Sequence, residues 1–268
     1  MQVISSKDNE QIKYIRKLKD KKFRDETNEY IVEGIKLVEE AIEEKVAIKM
    51  IVVCEDCETN GEIEQSLLYE IAKYQCLYVT DKIFKILTEV VNPQGILAVV
   101  EKGDHVDQID YSQDIILALD GIQDPGNLGT ILRTADSAAL NQIILSEDCA
   151  DSYNPKVVRS TMGAIFRMNI ITTPNLAKTL QEIKKRKFEI VATSLETNES
   201  IYDMEYRKKV IVIGNESKGV SKEILQLADK KVKIPMLGKT ESLNASVAAS
   251  IMIYEYVREK VKLLNNGL

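Results

Sequence analysis

DGIQDPGNLGTILRTADSAAL, residues 120–140, follows the apolar run IILAL and joins a predicted strand to a predicted helix. Three glycines, a proline and an asparagine fall in a short span, and Ile131 and Ala135 belong to an apolar face of the helix. Arg133 lies off that face, one turn into the helix. A helix start favours an anion, and an arginine there adds a bidentate phosphate contact. The stretch therefore fits either an anion site or a capped helix with a solvated arginine.

Around this stretch, apolar runs and helical patterns alternate to the end of the chain. Such near-continuous apolar strands are typical of a parallel sheet with helices on both faces, so the predicted class is α/β. Helices are predicted at residues 154–162 and at LAKTLQEIKKRK, KEILQLAD and ESLNASVAASIMIYEYVREKVKLL. The predicted strands are IILALD, NQIILS, FEIVATS, VIVIGNE and KKVKIPM.

The first half of the chain shows a separate alternation. The runs EYIVEG, IKMIVVCE, QCLYVT and GILAVVEK alternate with helical patterns, which predicts a smaller α/β sandwich. The polar segment GDHVDQIDYSQ lacks either periodicity and reads as a connection. We therefore predict one domain at 1–105, a linker at 106–113 and a second domain at 114–268.

Composition indicates a soluble globular protein, because 44% of the 268 residues are hydrophobic and 29% are charged. No apolar run approaches the ~20 residues of a membrane span, and the N-terminus lacks the apolar core of a secretory signal. A cytoplasmic protein without a membrane partner is expected. Cys54 and Cys57 form a lone C-x-x-C, and the one histidine, His105, is distant in sequence. We predict two cysteines ending a buried strand, rather than a metal or redox site.

The charge is unevenly distributed along the chain. The net charge is −6, yet residues 1–24 carry eight basic side chains against three acidic ones. Ile12, Ile15 and Leu18 fall on one helical face. Charge alone leaves two interpretations open, a solvated amphipathic helix or an arm that contacts phosphates.

A second loop, in IVIGNESKGVSKEIL (211–225), also follows an apolar strand. The strand ends at Gly214, and Glu216 precedes a helix that Ser221 caps. The loop is neither G-x-G-x-x-G nor a P-loop. Glu216 is therefore either a ligand-binding side chain or a turn carboxylate.

A third loop, in KIPMLGKTESLNASVAAS (233–250), leads from a predicted strand to a helix of small residues. Ser242 and Asn244 open that helix. Capping alone employs one of these two polar side chains, and both together indicate a ligand nearby.

Taken jointly, the three loops resemble the signature of the SpoU (TrmH-type) RNA ribose 2′-O-methyltransferases of the SPOUT superfamily. The matching stretches are DPGNLGTILRTADSAA, IVIGNESKGVS and IPMLGKTESLNASVAAS, in the family's order and spacing. The stretches KDKKFRDETNEYIVEG and NPQGILAVV resemble the ribosomal-protein-like RNA-binding domain often fused to it. The resemblance implies a SPOUT-type parallel sheet with a C-terminal trefoil knot, S-adenosylmethionine as cofactor, no metal, and a homodimer formed through the C-terminal domain.

The resemblance also assigns site residues, and residues 1–105 become a domain that binds the RNA substrate. The predicted catalytic residues are Asn127, Arg133, Glu216, Ser242 and Asn244. The predicted cofactor contacts are main-chain groups of Thr193, Gly214, Ile234 and Met236 and the Ser242–Leu243 turn. The predicted phosphate contacts of the basic arm are Lys13, Arg16, Lys17, Lys19, Lys21, Lys22 and Arg24.

The expected reaction is S-adenosylmethionine-dependent methylation of a ribose 2′-hydroxyl in structured RNA. 23S ribosomal RNA is the preferred substrate, since relatives with this N-terminal half often act on it, and transfer RNA stays open. A non-catalytic RNA-binding or ribosome-assembly protein is an alternative, which the intact catalytic set disfavours. A nucleotide-binding oxidoreductase is disfavoured because the chain lacks G-x-G-x-x-G at these loops.

Overall fold

The computed structural model describes residues 3–59, 63–103 and 108–265. The chain divides into two compact units, Met1–Asp104 with Tyr153–Phe166, and His105–Ser152 with Arg167–Leu268. The segment Tyr153–Phe166 thus groups with the first unit although it lies in the second half of the sequence. The domain boundaries and linker given above stay a prediction, and His105 and the start of that linker lie outside the described residues.

The first unit is built on a five-stranded mixed sheet with the order β1-β4-β3-β5-β2. Its strands are β1 (Val3–Ile4), β2 (Glu29–Glu33), β3 (Ile48–Cys54), β4 (Cys76–Val79) and β5 (Ile96–Glu101). Its helices before residue 105 are α1 (Glu10–Lys17), α2 (Lys21–Thr27), α3 (Ile35–Glu43), α4 (Glu55–Thr59), α5 (Gln65–Ile71) and α6 (Asp81–Leu87).

The apolar face of α1 forms part of the core of this unit. Ile12, Ile15 and Leu18 are fully buried and pack in one cluster with Phe84 and Leu97. Their helical spacing therefore has a packing cause, since burying an aliphatic side chain contributes about 1.5–3 kcal/mol. The basic side chains of α1 occupy its remaining faces.

Arg24 corrects one prediction about the basic arm. Its side chain is only 2% exposed, and its Nη1 donates to Leu18 O at 2.7 Å and Lys19 O at 2.8 Å. A guanidinium that bonds to the carbonyls ending α1 connects α1 to α2 and does not face solvent. Arg24 is therefore a structural residue and not a phosphate contact.

The second unit contains a six-stranded sheet with the order β11-β9-β10-β6-β7-β8, in which every pairing is parallel. This confirms the predicted α/β class with a parallel sheet. The strands are β6 (Ile115–Asp120), β7 (Gln142–Ser146), β8 (Asn169–Thr173), β9 (Glu189–Thr193), β10 (Lys209–Gly214) and β11 (Lys230–Val232). The helices are α7 (Pro125–Ser137), α9 (Leu176–Lys184), α10 (Lys222–Leu227) and α11 (Ala245–Asn265), while α8 (Pro155–Thr161) groups with the first unit.

Helices pack on the sheet against alternate side chains of its strands. Alternate residues of β6 such as Ile116 and Ala118 pack with Leu180 of α9 and Ile224 of α10. Helix α11 contacts both α7 and β10. The core of this unit therefore lies between the sheet and its helices, as the apolar strands predicted.

Two predicted elements are shorter in the structure. Strand β11 ends at Val232, followed by a single bridge from Lys233 to Ser200, because Pro235 has no N–H to continue the ladder. Helix α11 begins at Ala245, so the ESLN segment before it is irregular. Strands β1 and β8 were not predicted from the sequence.

Cys54 ends β3 and is buried, as predicted, but Cys57 lies in α4 and is half-buried, so only one of the two cysteines ends the strand. All four cysteines are free thiols. Among the described residues, no group of three His, Cys, Asp or Glu side chains is arranged to hold a metal ion. Within the same residues, no helix has the length and apolar character needed to cross a bilayer.

Candidate active site

The loops that follow β6 and β10 begin side by side at one edge of the sheet. The two strands pair in parallel, with Asp120 opposite Gly214 at their carboxyl ends. Ligands of parallel α/β sheets bind beyond such ends. The first two sequence motifs therefore meet where a substrate site is expected.

Three predicted catalytic side chains form one hydrogen-bonded chain at this edge. Asn127 donates from Nδ2 to Glu216 Oε1 at 2.8 Å, and Asn244 donates from Nδ2 to Asn127 Oδ1 at 3.0 Å. The three residues belong to separate motifs, 89 and 117 positions apart in sequence. Asn127 is 9% exposed, whereas Glu216 and Asn244 are exposed, so the two bonds are partly buried at the surface of the site.

Local capping places two of these side chains. Asp124 caps α7 by accepting from Asn127 N at 2.8 Å, and Pro125 occupies the first turn, where its missing N–H costs nothing. Asn244 precedes α11, and its Oδ1 accepts from Ser246 N at 2.9 Å and Ser246 Oγ at 2.7 Å. Asn244 therefore caps a helix and reaches Asn127 with the two ends of one amide.

Asn215 is a positioning residue that sequence reasoning did not single out. Its Nδ2 donates to Gly121 O at 2.7 Å, and its Oδ1 accepts from Ser217 N at 2.9 Å and Lys218 N at 3.1 Å. It thus fastens the loop after β10 to the loop after β6, next to Glu216 in sequence. An asparagine that directly follows an apolar strand is the signal of this turn chemistry.

Gly214 is required by the fold of its own loop. A Cβ at this position would lie 2.1 Å from Val220 N and 2.2 Å from Gly219 C. The loop returns here because Asn215 and Gly219 exchange two main-chain hydrogen bonds, at 2.9 and 3.1 Å. The protein's own backbone therefore approaches Gly214 closely, and the predicted cofactor contact of Gly214 stays a prediction.

Cys149 lies beside the loop after β6 but does not supply a nucleophile. Its Sγ lies 3.5 Å from Leu119 O, and burial raises the pKa of the thiol above its ordinary value. A thiol with a raised pKa stays protonated at neutral pH. Nearby, Gly121 N donates to Ser146 Oγ at 2.8 Å, which holds the loop from the side of β7.

Arg133 and Ser242 are not joined to the hydrogen-bonded chain. Both side chains are exposed, and neither makes a hydrogen bond or ion pair with the part of the chain that the structure describes. The neighbouring acid, Asp136, is occupied by Arg167 at 2.9 Å. Arg133 therefore presents its guanidinium to solvent in the single chain.

The segment 234–243 provides unused main-chain groups. Ile234, Met236 and Leu243 are half-buried, and no residue of the segment makes a hydrogen bond to another described residue. Thr193, also half-buried, donates from Oγ1 to Val212 O at 3.2 Å. Free N–H and C=O groups beside apolar side chains suit an adenine ring, so these residues fit S-adenosylmethionine.

Comparison with known proteins identifies the family of the chain. A model described as the SpoU rRNA Methylase family matches residues 114–254, and an MRM3-like substrate binding domain matches residues 9–98.

The chain belongs to the SpoU rRNA methylase family.

Individual SpoU relatives match almost the whole chain. The 23S rRNA (guanosine(2553)-2′-O)-methyltransferase RlmP of Bacillus subtilis strain 168 is 32% identical over 255 residues, which are 95% of this chain and 98% of RlmP. A crystal structure of an RNA 2′-O ribose methyltransferase aligns with a TM-score of 0.84 at 28% identity, over 97% of this chain and 100% of that one. The AdoMet-bound rRNA methyltransferase of Sinorhizobium meliloti aligns at 0.82 with 31% identity, over 96% and 97%.

As a SpoU family member, the protein is an RNA 2′-O-ribose methyltransferase with S-adenosylmethionine as its cofactor. This agrees with the resemblance that the three loops showed. It also agrees with the side chains gathered at the carboxyl edge of β6 and β10.

The predicted phosphate contacts in the N-terminal unit of this SpoU protein differ in their surroundings. Arg16 and Lys21 are exposed, with no ion pair to the described residues. Lys13 pairs with Glu10 at 3.0 Å, Lys22 lies 3.9 Å from Glu26, and Lys17 lies 5.6 Å from the centre of the Phe23 ring. Lys19 donates to Ile86 O and Thr88 O, both at 3.2 Å, and so caps α6.

Proposed function

We propose that the protein methylates a ribose 2′-hydroxyl of 23S ribosomal RNA. The hydrogen-bonded chain Glu216–Asn127–Asn244 is the observation that carries this proposal. The similarity to RlmP over nearly all of both chains supports the choice of ribosomal RNA. The same reaction on transfer RNA is the second candidate. A non-catalytic RNA-binding protein would have no need for two amides and a carboxylate joined in one hydrogen-bonded chain.

The reaction is an in-line displacement for which the protein must align three atoms and remove a proton. S-adenosylmethionine supplies an activated methyl group when it is bound, and residues 234–243 with Thr193 would hold it. Both amide ends of Asn127 are engaged, so Asn127 holds Glu216 and Asn244 in place. Glu216 and Asn244 then orient the ribose or the cofactor from fixed positions.

We assign Arg133 to the attacking ribose 2′-hydroxyl and not to the methyl donor. A guanidinium keeps its proton in proteins, so a free-base role is costly. We assign Arg133 to the phosphate next to the target ribose and to the developing alkoxide, with phosphate or water accepting the proton. Its exposure, and the lack of a carboxylate partner among the described residues, suit contact with a separate molecule.

Arg133→Lys tests this role. Lysine keeps the charge but loses the planar fork, so we expect turnover to fall at least tenfold while S-adenosylmethionine affinity stays unchanged. Single-turnover methylation and calorimetry measure the two quantities. Turnover at the wild-type level would exclude the fork, and a collapse of cofactor affinity would move Arg133 to the cofactor site.

A homodimer completes the proposed enzyme. Val247, Tyr254 and Val261 recur every seven residues along α11, and they are 45%, 51% and 47% exposed. An exposed apolar stripe on a helix of this length suits a second copy of the chain. A partner would also bring groups to Arg133 and Ser242, which the single chain leaves in solvent.

The trefoil knot implied by the resemblance is part of the proposal. Strand β11 lies at the edge of the sheet, whereas α11 packs on α7 and β10 further in. Residues after β9 bond to the end of β11, through Lys233 N to Glu199 O at 2.9 Å and Ile201 N to Lys233 O at 3.1 Å. Joining the termini and unfolding the circle in guanidinium tests for a knot. A knotted circle scatters as a more compact chain than an unknotted circle of equal length.

The substrate is tested by mapping 2′-O-methylation across total RNA from cells with and without the gene. We expect one 23S ribosomal RNA position to lose its methyl group and to regain it with the wild-type gene but not with Arg133→Ala. A lost position in transfer RNA would select the second candidate. An unchanged map, with purified protein that does not transfer methyl groups to RNA, would contradict the proposed activity.

A further inference from the structure

Three basic runs, distant in sequence, converge on one edge of the sheet in the second unit. KKRK (184–187) precedes β9, RKK (207–209) leads into β10, and KK (230–231) opens β11. These strands are neighbours in the order β11-β9-β10, and all of their pairings are parallel. Their amino ends therefore lie at one edge, opposite to the carboxyl edge that holds the candidate active site.

Part of this charge is neutralised within the unit by carboxylates. Such surface ion pairs contribute little to stability, but they leave less charge for a partner. The pairs are Lys184 with Asp229 at 2.6 Å, Lys185 with Glu182 at 2.7 Å, Lys230 with Glu189 at 3.6 Å, and Lys209 with Glu189.

Five cations at the edge are exposed and form no ion pair with the described residues. We name them the basic edge: Arg186, Lys187, Arg207, Lys208 and Lys231. Glu205 precedes β10, and Asp110 and Asp114 precede the neighbouring strand β6. These three acids are fewer than the five cations, so a surplus of positive charge remains.

Aromatic rings hold two members of the basic edge in place. The Arg186 guanidinium lies 5.4 Å from the centre of the Tyr111 ring, and Lys208 Nζ lies 4.6 Å from the centre of the Phe188 ring. Lys208 Nζ also donates to Tyr111 O at 2.7 Å. A guanidinium stacked on a ring keeps its N–H edge free for a phosphate, and a held side chain loses less entropy on binding.

We propose that the basic edge binds backbone phosphates of the RNA substrate, away from the site of methyl transfer. This inference rests on the proposed function, because it assumes an RNA substrate. Strands are about 4.8 Å apart, so cations on three strands span about 10 Å, enough to face more than one phosphate. Contacts of this kind supply affinity and orientation without reading sequence.

A triple variant, Arg186→Gln, Lys187→Gln and Arg207→Gln, tests the proposal. The matched control removes three exposed lysines elsewhere in the unit, with Lys178→Gln, Lys222→Gln and Lys262→Gln. Binding of transcribed 23S ribosomal RNA is measured at several salt concentrations. We expect affinity to fall about tenfold or more and the salt slope to shrink by up to about 0.7–0.9 for each phosphate that is no longer neutralised. The control should lose less than threefold, and both variants should keep wild-type affinity for S-adenosylmethionine.

The outcomes separate this inference from the proposed function. If the wild type methylates RNA and the triple variant binds RNA as well as the control does, the basic edge has no such role. If the wild type neither binds nor methylates RNA, both proposals fail. Binding to phosphatidylserine vesicles that the triple variant loses, with RNA affinity retained, would assign the edge to a lipid surface and overturn the inference.

Discussion

Asn127 joins the candidate catalytic residues through the two ends of one amide, and this makes it sensitive to a change of a single atom. Asn127→Asp keeps the shape but replaces the donor to Glu216 with an oxygen, so two carboxylates would face each other. We expect turnover to fall about 100- to 1000-fold, the usual cost of losing a positioning hydrogen bond in an active site, with cofactor affinity within about threefold.

Methyl transfer to RNA and calorimetry measure these effects. Asn175→Asp is the matched control, because Asn175 caps α9 through Oδ1 and aspartate caps equally well. Wild-type turnover in Asn127→Asp would show that the hydrogen-bonded chain is dispensable.

The sequence motifs identified the residues of the site but not the hydrogen bonds between them. Asn127, Glu216 and Asn244 were named from their loops, and the structure joins them. Their partners could not be read, because Asn244 lies 117 positions from Asn127 and both are polar residues in loops or first turns. Arg24 shows the converse error. Its charge suggested solvent, but two carbonyls at the end of α1 provide a buried site for it.

Among the elements, the loop between β10 and α10 depends on the absence of a side chain at Gly214. In Gly214→Ala the new Cβ would meet backbone atoms of Gly219 and Val220, which cannot rotate away as a side chain does. We expect a loss of about 1–3 kcal/mol in the free energy of unfolding, with displacement of Glu216 and loss of turnover. Gly238→Ala is the control, because a Cβ there has no neighbour within 4 Å. Equal denaturation midpoints for the two variants would contradict this account.

Helices α1 and α2 contain one structural arginine, Arg24, and one that we expect to bind RNA, Arg16. Arg24→Ala removes two hydrogen bonds from a buried charged donor, so we expect a loss of about 2–4 kcal/mol in stability. Arg16→Ala changes an exposed side chain and should alter stability by less than about 0.5 kcal/mol while weakening RNA binding. Chemical denaturation and RNA titrations compare the variants. Equal stability losses, or full RNA affinity in Arg16→Ala, would refute this division.

For the whole molecule, local patterns predicted most elements but not their arrangement. The apolar runs marked β6, β7, β9 and β10, because strands buried on both faces are apolar throughout. Strand β8 was missed because NIITT mixes polar and apolar residues, and Thr172 is exposed at the edge of the sheet. The order of the strands depends on packing between distant segments, which no local period records.

We predict that two copies of the chain associate through the exposed stripe on α11. If the stripe Val247, Tyr254 and Val261 is covered by a second copy, then Val247→Arg with Tyr254→Arg places two charges in an apolar contact. We expect light scattering to give twice the mass of one chain for the wild type and the mass of one chain for this double variant. Methyl transfer should fall at least tenfold, because Arg133 and Ser242 would lack the partner's groups.

Tyr69→Arg with Tyr202→Arg is the matched control, since both tyrosines are more than half exposed and lie outside α11. This control should remain dimeric and active. A monomeric wild type that methylates RNA at full rate would contradict the dimer, and the proposed role of the stripe on α11 would then be wrong.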